Sequence, residues 1–114
     1  MADKVDEAIE WYTKALNQNP SNPIVYCNRA QAYKKKKQFQ LMYDDSVNAI
    51  EFDDGYYKAY LRNGEACLEL AKSQNQKNLD MVEKGLKRMQ KAIMIIEKIK
   101  PSDPNFAKKK EFLN

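Results

Sequence analysis

Two stretches of this chain repeat each other at a separation of about 34 residues, and this period restricts the fold more than any other feature of the sequence. The first copy covers residues 6–16 and the second covers residues 40–50. A second pair of matching stretches covers residues 26–33 and 60–67. Because a period of this length is typical of stacked helix pairs, the expected fold is all-α.

Apolar periodicity and turn residues place the predicted helices. Four of them are expected at about Val5 to Asn17, Pro23 to Lys36, Phe39 to Phe52 and Tyr56 to Lys72. Pro23 suits the first position of a helix that Ser21 or Asn22 would cap. Small residues at Ala30 and Gly64 would let neighbouring helices approach closely. The residues interpreted as packing side chains are Trp11, Tyr26, Cys27, Tyr33, Tyr60 and Cys67.

We expect one domain, because a chain of 114 residues rarely forms two separate cores. It would comprise the second half of a first repeat, a second repeat, a third repeat with an insertion near residues 73–80, and a capping helix, over residues 1–20, 21–54, 55–100 and 103–114. One period before Asn28 falls ahead of Met1, so the first repeat is expected to lack its opening helix. The chain would then be truncated, pair its uncovered face with another copy, or receive the missing helix from a neighbouring protein.

The composition of the chain argues against enzyme catalysis. The chain has no histidine, which is the commonest general base, and its two cysteines lack the spacing of metal ligands. We therefore expect no metal, no cofactor and no enzyme activity. The sequence has no stretch that would span a membrane and no apolar core of a signal peptide, so we expect a cytoplasmic protein without membrane partners.

The matching positions resemble a known family. Tyr26 and Tyr60 occupy equivalent positions one period apart, and so do Ala15 and Ala49. This pattern resembles the tetratricopeptide repeat, or TPR, over most of the chain. The resemblance implies an antiparallel helix-pair solenoid of about two and a half repeats plus a C-terminal capping helix. Its concave surface would be lined by the first helix of each pair.

Lys58 and Arg62 lie one helical turn apart and would repel each other unless an anion lies between them. Asn28 occupies the position of Arg62 one repeat earlier. The three residues match the carboxylate clamp of chaperone-binding TPR domains, which holds the C-terminal Glu-Glu-Val-Asp of cytosolic heat-shock chaperones. The resemblance therefore implies a co-chaperone or adaptor that binds such C-terminal peptides. Gln31 and Leu61, one turn from these residues, are candidates for a pocket that takes the upstream peptide side chains.

In that family a further lysine and asparagine come from the first helix of repeat one, and neither has a counterpart here. Losing two charge-assisted hydrogen bonds costs roughly 3 kcal/mol, or about a hundredfold in affinity, so we expect weak binding by this chain alone. Residues 106–114 are also similar to the segment after the third repeat of the ubiquitin ligase CHIP, whose ligase activity would reside in residues absent here.

Two other functions compete with peptide recognition. A structural assembly module would self-associate, or pack against a partner, through the uncovered first helix and would bind no free C-terminus. Nucleic-acid binding through the lysine runs at residues 34–37 and 108–110 is not expected, because no interleaved aromatic platform or groove-reading motif accompanies them. Such runs are usually solvated helix ends. Amidation of the peptide and the concentration dependence of the molecular mass distinguish the clamp from the assembly module.

Overall fold

A computed structural model describes residues 2–73 and 78–98, in which all regular structure is helical. Its elements are α1 (Ala2–Gln18), α2 (Pro23–Lys35), α3 (Phe39–Phe52), α4 (Tyr57–Ser73) and α5 (Leu79–Glu97). Each helix packs against the next, and α2 also contacts α4. The predicted all-α solenoid of helix pairs is confirmed. Among these helices none is both long enough and apolar enough to cross a bilayer.

Asn22 sets the start of α2. Its side-chain oxygen accepts hydrogen bonds from the backbone N–H groups of Ile24 at 3.0 Å and Val25 at 3.3 Å. These donors are among the four that a helix leaves unsatisfied at its N-terminus, and Pro23 at the first position has no N–H to satisfy. Of the two candidate caps, Asn22 fills the role, while Ser21 bonds to the side chain of Asn19.

Two tyrosines repeat the same interaction in successive helix pairs. The hydroxyl of Tyr26 donates to the carbonyl of Pro20, and that of Tyr60 donates to the carbonyl of Asp54, each at 2.8 Å. Each bond ties the first helix of a pair to the turn before it. Tyr60 is also buried, with 6% of its surface exposed, as expected for a packing residue.

Trp11 does not pack in the core, and that prediction is wrong. Its side chain is 65% exposed, and the Nζ of Lys14 lies 5.3 Å from the centre of its ring. Among the described elements α1 contacts α2 alone. The half of α1 that carries Trp11 therefore has no helix against it in the described residues.

An ion pair in the interior joins three helices. Arg29 on α2 donates to both carboxylate oxygens of Asp45 on α3, at 2.8 and 2.7 Å, and also to the hydroxyl of Thr13 on α1 at 3.1 Å. The Asp45 side chain is only 4% exposed. A carboxylate at this depth needs a bidentate cationic partner, so Arg29 and Asp45 fix how α2 and α3 sit together.

The second full helix pair is longer than the first. α4 and α5 have 17 and 19 residues, whereas α2 and α3 have 13 and 14. The extra length lies beside the expected insertion near residues 73–80. Part of that segment is helical, because α4 ends at Ser73 and α5 begins at Leu79. Residues 74–77, and residues 99–114 with the predicted capping helix and the CHIP-like segment, lie outside the described residues. The division of the chain into repeats stays a prediction.

Candidate functional site

Asn28 and Lys58 face solvent on two helices that contact each other. Asn28 lies on α2 and Lys58 on α4, and both side chains are exposed. Within residues 2–73 and 78–98, neither has a hydrogen-bond or ion-pair partner. Lys58 also lies in the first turn of α4, where the helix dipole adds partial positive charge to that of the ammonium. An anion that approached this point would therefore meet unsatisfied donors.

Arg62 differs from these two residues because it has an acidic partner. Its Nη1 donates to Oε1 of Glu65, three residues further along α4, at 2.7 Å. The other oxygen of Glu65 accepts from the Nζ of Lys34 on α2. One carboxylate thus links two cations across the gap between α2 and α4. With one of its five N–H donors so engaged, Arg62 keeps four for other acceptors.

The sequence reasoning missed Glu65 and Lys34. A signal for Glu65 was present, because an acid three residues after an arginine on a helix forms a favourable pair with it. Glu65 also occupies the repeat position of Gln31, so it belongs to the same row of side chains along the surface. No comparable signal existed for Lys34, since its contact depends on how α2 and α4 are placed relative to each other.

The contact between α2 and α4 brings the neighbours of Asn28 and Lys58 together, because Cys27 and Ala59 belong to one buried cluster. Burial raises the pKa of Cys27 to about 12, and the positive charges of Arg62 and Lys58 oppose this rise. Both cations therefore act on the residue that precedes Asn28 on α2. The structure brings Asn28, Lys58 and Arg62 into one neighbourhood, although their role as ligand-binding residues stays a prediction.

A cavity of about 460 Å³ continues from Asn28 into the groove between α1 and α2. The side-chain oxygen of Gln31 is buried there and has no hydrogen-bond partner among the described residues. Leu61 does not line this cavity and is only 8% exposed, so it presents little surface to a ligand. The lining residues are Lys4, Val5, Ala8, Tyr12, Asn28, Gln31, Ala32 and Lys35.

The part of the chain that the structure describes contains no cluster of three or more Cys, Asp or Glu side chains placed to hold a metal ion. Cys67 is buried like Cys27, and burial likewise raises the pKa of its thiol. Both thiols are therefore protonated near neutral pH and are poor nucleophiles.

Comparison with known proteins places the chain among helical-repeat proteins. A family model described as a TPR repeat matches residues 3–37. RNA polymerase II-associated protein 3 of Rattus norvegicus is 45% identical over 69 residues, which make up 60% of this chain and 10% of that protein. Serine/threonine-protein phosphatase 5 of Homo sapiens is 37% identical over 71 residues, or 62% of this chain and 14% of that protein. The chain thus spans only a small part of these relatives.

Among solved structures, the chain is similar to the first TPR of Spaghetti (RPAP3) bound to the HSP90 peptide SRMEEVD. The TM-score is 0.71 at 29% sequence identity, and the match covers 97% of this chain and 78% of that chain.

Proposed function

Because this chain is a tetratricopeptide repeat domain, we propose that it binds the free C-terminal peptide of a cytosolic heat-shock chaperone and acts as a co-chaperone or adaptor. The observation that carries the proposal is that Asn28 and Lys58, both exposed and without partners in the described residues, lie on helices that contact each other, with Arg62 one turn after Lys58. The similar RPAP3 domain, whose structure holds an HSP90 peptide ending in Glu-Glu-Val-Asp, supports this choice of ligand.

The three side chains suit a C-terminal aspartate, which presents two carboxylates. Lys58 supplies a compact charge that can rotate its three donors, and Arg62 supplies a planar fork. Asn28 adds a neutral amide donor. Each charge-assisted hydrogen bond contributes about 1.5 to 3 kcal/mol net, with the lower value suited to an open groove. Three such donors are enough for a weak, specific contact with a free carboxyl terminus.

The rest of the peptide would extend from these donors into the cavity between α1 and α2. Asn28 lines that cavity, and the preceding Cys27 packs with Ala59, the residue after Lys58, so Asn28 would connect the two parts of the groove. Gln31 offers a buried carbonyl oxygen, without a partner in the part of the chain that the structure describes, which would accept a hydrogen bond from the peptide backbone. Val5, Ala8 and Tyr12 would contact an apolar peptide side chain.

We propose that this chain has no catalytic role. We also propose that it is located in the cytoplasm. The match to serine/threonine-protein phosphatase 5 covers 14% of that enzyme, and phosphatase activity is not proposed here. Recognition of a peptide terminus requires only hydrogen-bond donors that are already in place, so no covalent bond needs to form or break.

Assembly through α1 is the second candidate function, and the exposure of Trp11 favours it. A tryptophan that is 65% exposed on a helix with one neighbour among the described elements offers a hydrophobic anchor to another protein. An assembly module would show a molecular mass that rises with concentration in the absence of peptide. A constant monomer mass would exclude self-association as the function of α1 and would leave the peptide-binding proposal unaffected.

A titration of a labelled peptide ending in Glu-Glu-Val-Asp tests the proposed site. Asn28→Ala, Lys58→Ala and Arg62→Ala should each weaken binding by about tenfold, as expected for the loss of one charge-assisted bond. Lys72→Ala is the matched control, because Lys72 lies on the same helix, is 74% exposed and pairs with Glu69 rather than with any residue of the proposed site. Equal affinities for all four variants and the unmodified chain would contradict the assignment of these residues.

A further inference from the structure

Four cations form a stripe along one side of α5 that the proposed peptide site does not use. Lys84, Lys87, Arg88 and Lys91 follow the i, i+3, i+4, i+7 spacing that places side chains on one helix face. Together with Tyr60 of α4 they line an open cavity of about 400 Å³. We propose that these four residues, the α5 basic stripe, form a docking surface for an acidic protein segment.

Two of the four cations are held in place by tyrosine rings. Lys84 donates to the hydroxyl of Tyr43 on α3, and its Nζ lies 5.1 Å from the centre of that ring. The guanidinium carbon of Arg88 lies 5.9 Å from the ring centre of Tyr60. The hydrogen bond to the Tyr43 hydroxyl holds Lys84, and the ring of Tyr60 attracts the guanidinium of Arg88, so both cations lose conformational freedom before any ligand arrives. This half of the stripe is therefore preorganised.

The other two cations project into solvent. Lys87 and Lys91 are both exposed. Lys87 pairs with Glu83 on the same helix at 3.3 Å, whereas Lys91 has no acidic side-chain partner among the described residues. Like charges at this spacing destabilise a helix. An anionic partner would relieve that repulsion, and the exposed pair could reach it without rearrangement of the core.

The α5 basic stripe faces away from the proposed peptide site. Tyr60 lies two residues from both Lys58 and Arg62 on α4, and two residues correspond to about 200° of rotation around a helix. The cavity above Tyr60 therefore opens on the opposite side of α4 from those two cations. A ligand at one surface leaves the other accessible, so the two surfaces can be tested separately.

The dimensions favour an acidic peptide over a nucleic acid. The stripe is about 10 Å long, which matches about three residues of extended peptide. Sequence-independent binding of single strands relies on bases stacked on aromatic rings, but Tyr60 is only 6% exposed and lies below Arg88. Segments rich in Asp and Glu, whose carboxylates recur at short intervals, are the partner whose chemistry fits.

The test uses a labelled peptide rich in Asp and Glu with an amidated C-terminus, so that it has no terminal carboxylate for Lys58 and Arg62. The unmodified chain should bind it, and Lys87→Glu/Lys91→Glu should weaken that binding by at least about tenfold. Lys14→Glu/Lys72→Glu is the charge-matched control at exposed positions of α1 and α4 that do not line the cavity, and it should change affinity by less than about threefold. Lys58→Ala/Arg62→Ala should bind the peptide as the unmodified chain does. Circular dichroism checks that each variant retains its helices.

Three results would overturn the proposal. The first is that the unmodified chain shows no saturable binding of the amidated acidic peptide. The second is an equal loss of affinity in the two charge-matched double variants, which would mean that only net charge matters. The third is that a single-stranded oligonucleotide of the same charge binds more tightly than the peptide, with the same dependence on Lys87 and Lys91, which would mean that the stripe binds nucleic acid.

Discussion

Arg62 already has an anionic partner in the free chain. The carboxylate of Glu65 lies between Arg62 and Lys34, so a peptide carboxylate that approached Arg62 would meet a negative charge about one hydrogen bond away. Glu65 also orients the guanidinium. The two effects oppose each other. A glutamine at this position removes the charge and keeps one acceptor oxygen, but it replaces the oxygen that accepts from Lys34 with an NH2 donor.

Glu65→Gln should tighten binding of a peptide that ends in Glu-Glu-Val-Asp by about three- to tenfold, because the ligand no longer competes with a charge for Arg62. Titration with the labelled peptide measures the change. Glu69→Gln is the control, since it removes the same charge one turn further along α4 from a residue that does not contact Arg62. Weaker binding by Glu65→Gln would mean that Glu65 serves the site mainly by orienting Arg62.

Stability at high pH should depend on Cys27. Its folded-state pKa is about 12 and its ordinary value is 9.0, so above pH 9 the unfolded chain loses a proton that the folded chain retains. Ionisation then favours the unfolded state, and the free energy of unfolding should fall by about 1.4 kcal/mol per pH unit between these two values. The raised pKa values of Cys67, Tyr56 and Tyr60 act in the same direction.

Urea unfolding at several pH values above 9 measures this effect. Cys27→Ala should unfold at lower urea throughout, because it leaves a small cavity, but its stability should fall less steeply with pH. The slope is the relevant quantity, and the unmodified chain at pH 7 and 8 provides the baseline. Identical slopes for the two proteins would show that the Cys27 thiol does not contribute.

Residue placement was predictable where it follows from counting along a repeat. Asn28 and Arg62 share a repeat position, and Lys58 lies one turn before Arg62, so their common neighbourhood could be read from the spacing. The environments of Trp11 and Leu61 could not be predicted from the sequence. Apolar periodicity identifies a stripe but does not say which part of it another helix covers, and Trp11 is exposed while Leu61 is buried.

At the scale of helices, α4 and α5 approach each other closely at two glycines. A Cβ atom added to Gly64 would lie 2.7 Å from Cγ of Met89 and 2.9 Å from the carbonyl oxygen of Gly85. A Cβ atom at Gly85 would in turn lie 3.1 Å from the carbonyl oxygen of Gly64. Glycine at both positions lets the two backbones meet directly, so the crossing depends on the absence of side chains.

Gly64→Ala should therefore destabilise the fold by about 1 to 3 kcal/mol. Alanine is the better helix former by about 1 kcal/mol, but the overlap includes a backbone oxygen that cannot rotate away. Gly55→Ala is the control, because a Cβ atom there would lie no closer than 3.6 Å to its nearest neighbour. Urea unfolding compares both with the unmodified chain. A Gly64→Ala variant as stable as Gly55→Ala would show that α5 shifts freely.

Helix ends were predictable to within a few residues because local chemistry sets them. The predicted bounds of α3 match those observed, and Asn22 caps α2 as one of the two candidates proposed. The start of α1 at Ala2, rather than Val5, was missed because the polar residues before Val5 give no periodic signal. The extra length of α4 and α5 could not be derived from a repeat period that their own sequence interrupts.

At the scale of the whole molecule, the cations with a proposed binding role lie on two separate faces of the described residues. One face carries Lys58 and Arg62 on α4, beside α2 with Asn28. The other is the α5 basic stripe on the opposite side of α4. The formal net charge of the chain is only +4, so the groups on each face matter more than a general attraction for anions. Peptide binding should weaken with salt on both faces, but a free C-terminus should matter only in the groove.

The most direct measurement compares two peptides that differ only at the C-terminus, which is a carboxylate in one and an amide in the other. Isothermal titration of the unmodified chain with a peptide ending in Glu-Glu-Val-Asp, as the free acid and as the C-terminal amide, tests whether the groove recognises a terminal carboxylate. The account predicts that amidation weakens binding by about tenfold or more, because Lys58 and Arg62 lose a charged partner. Equal affinities for the two peptides, or no binding of the free acid by a folded chain, would contradict it.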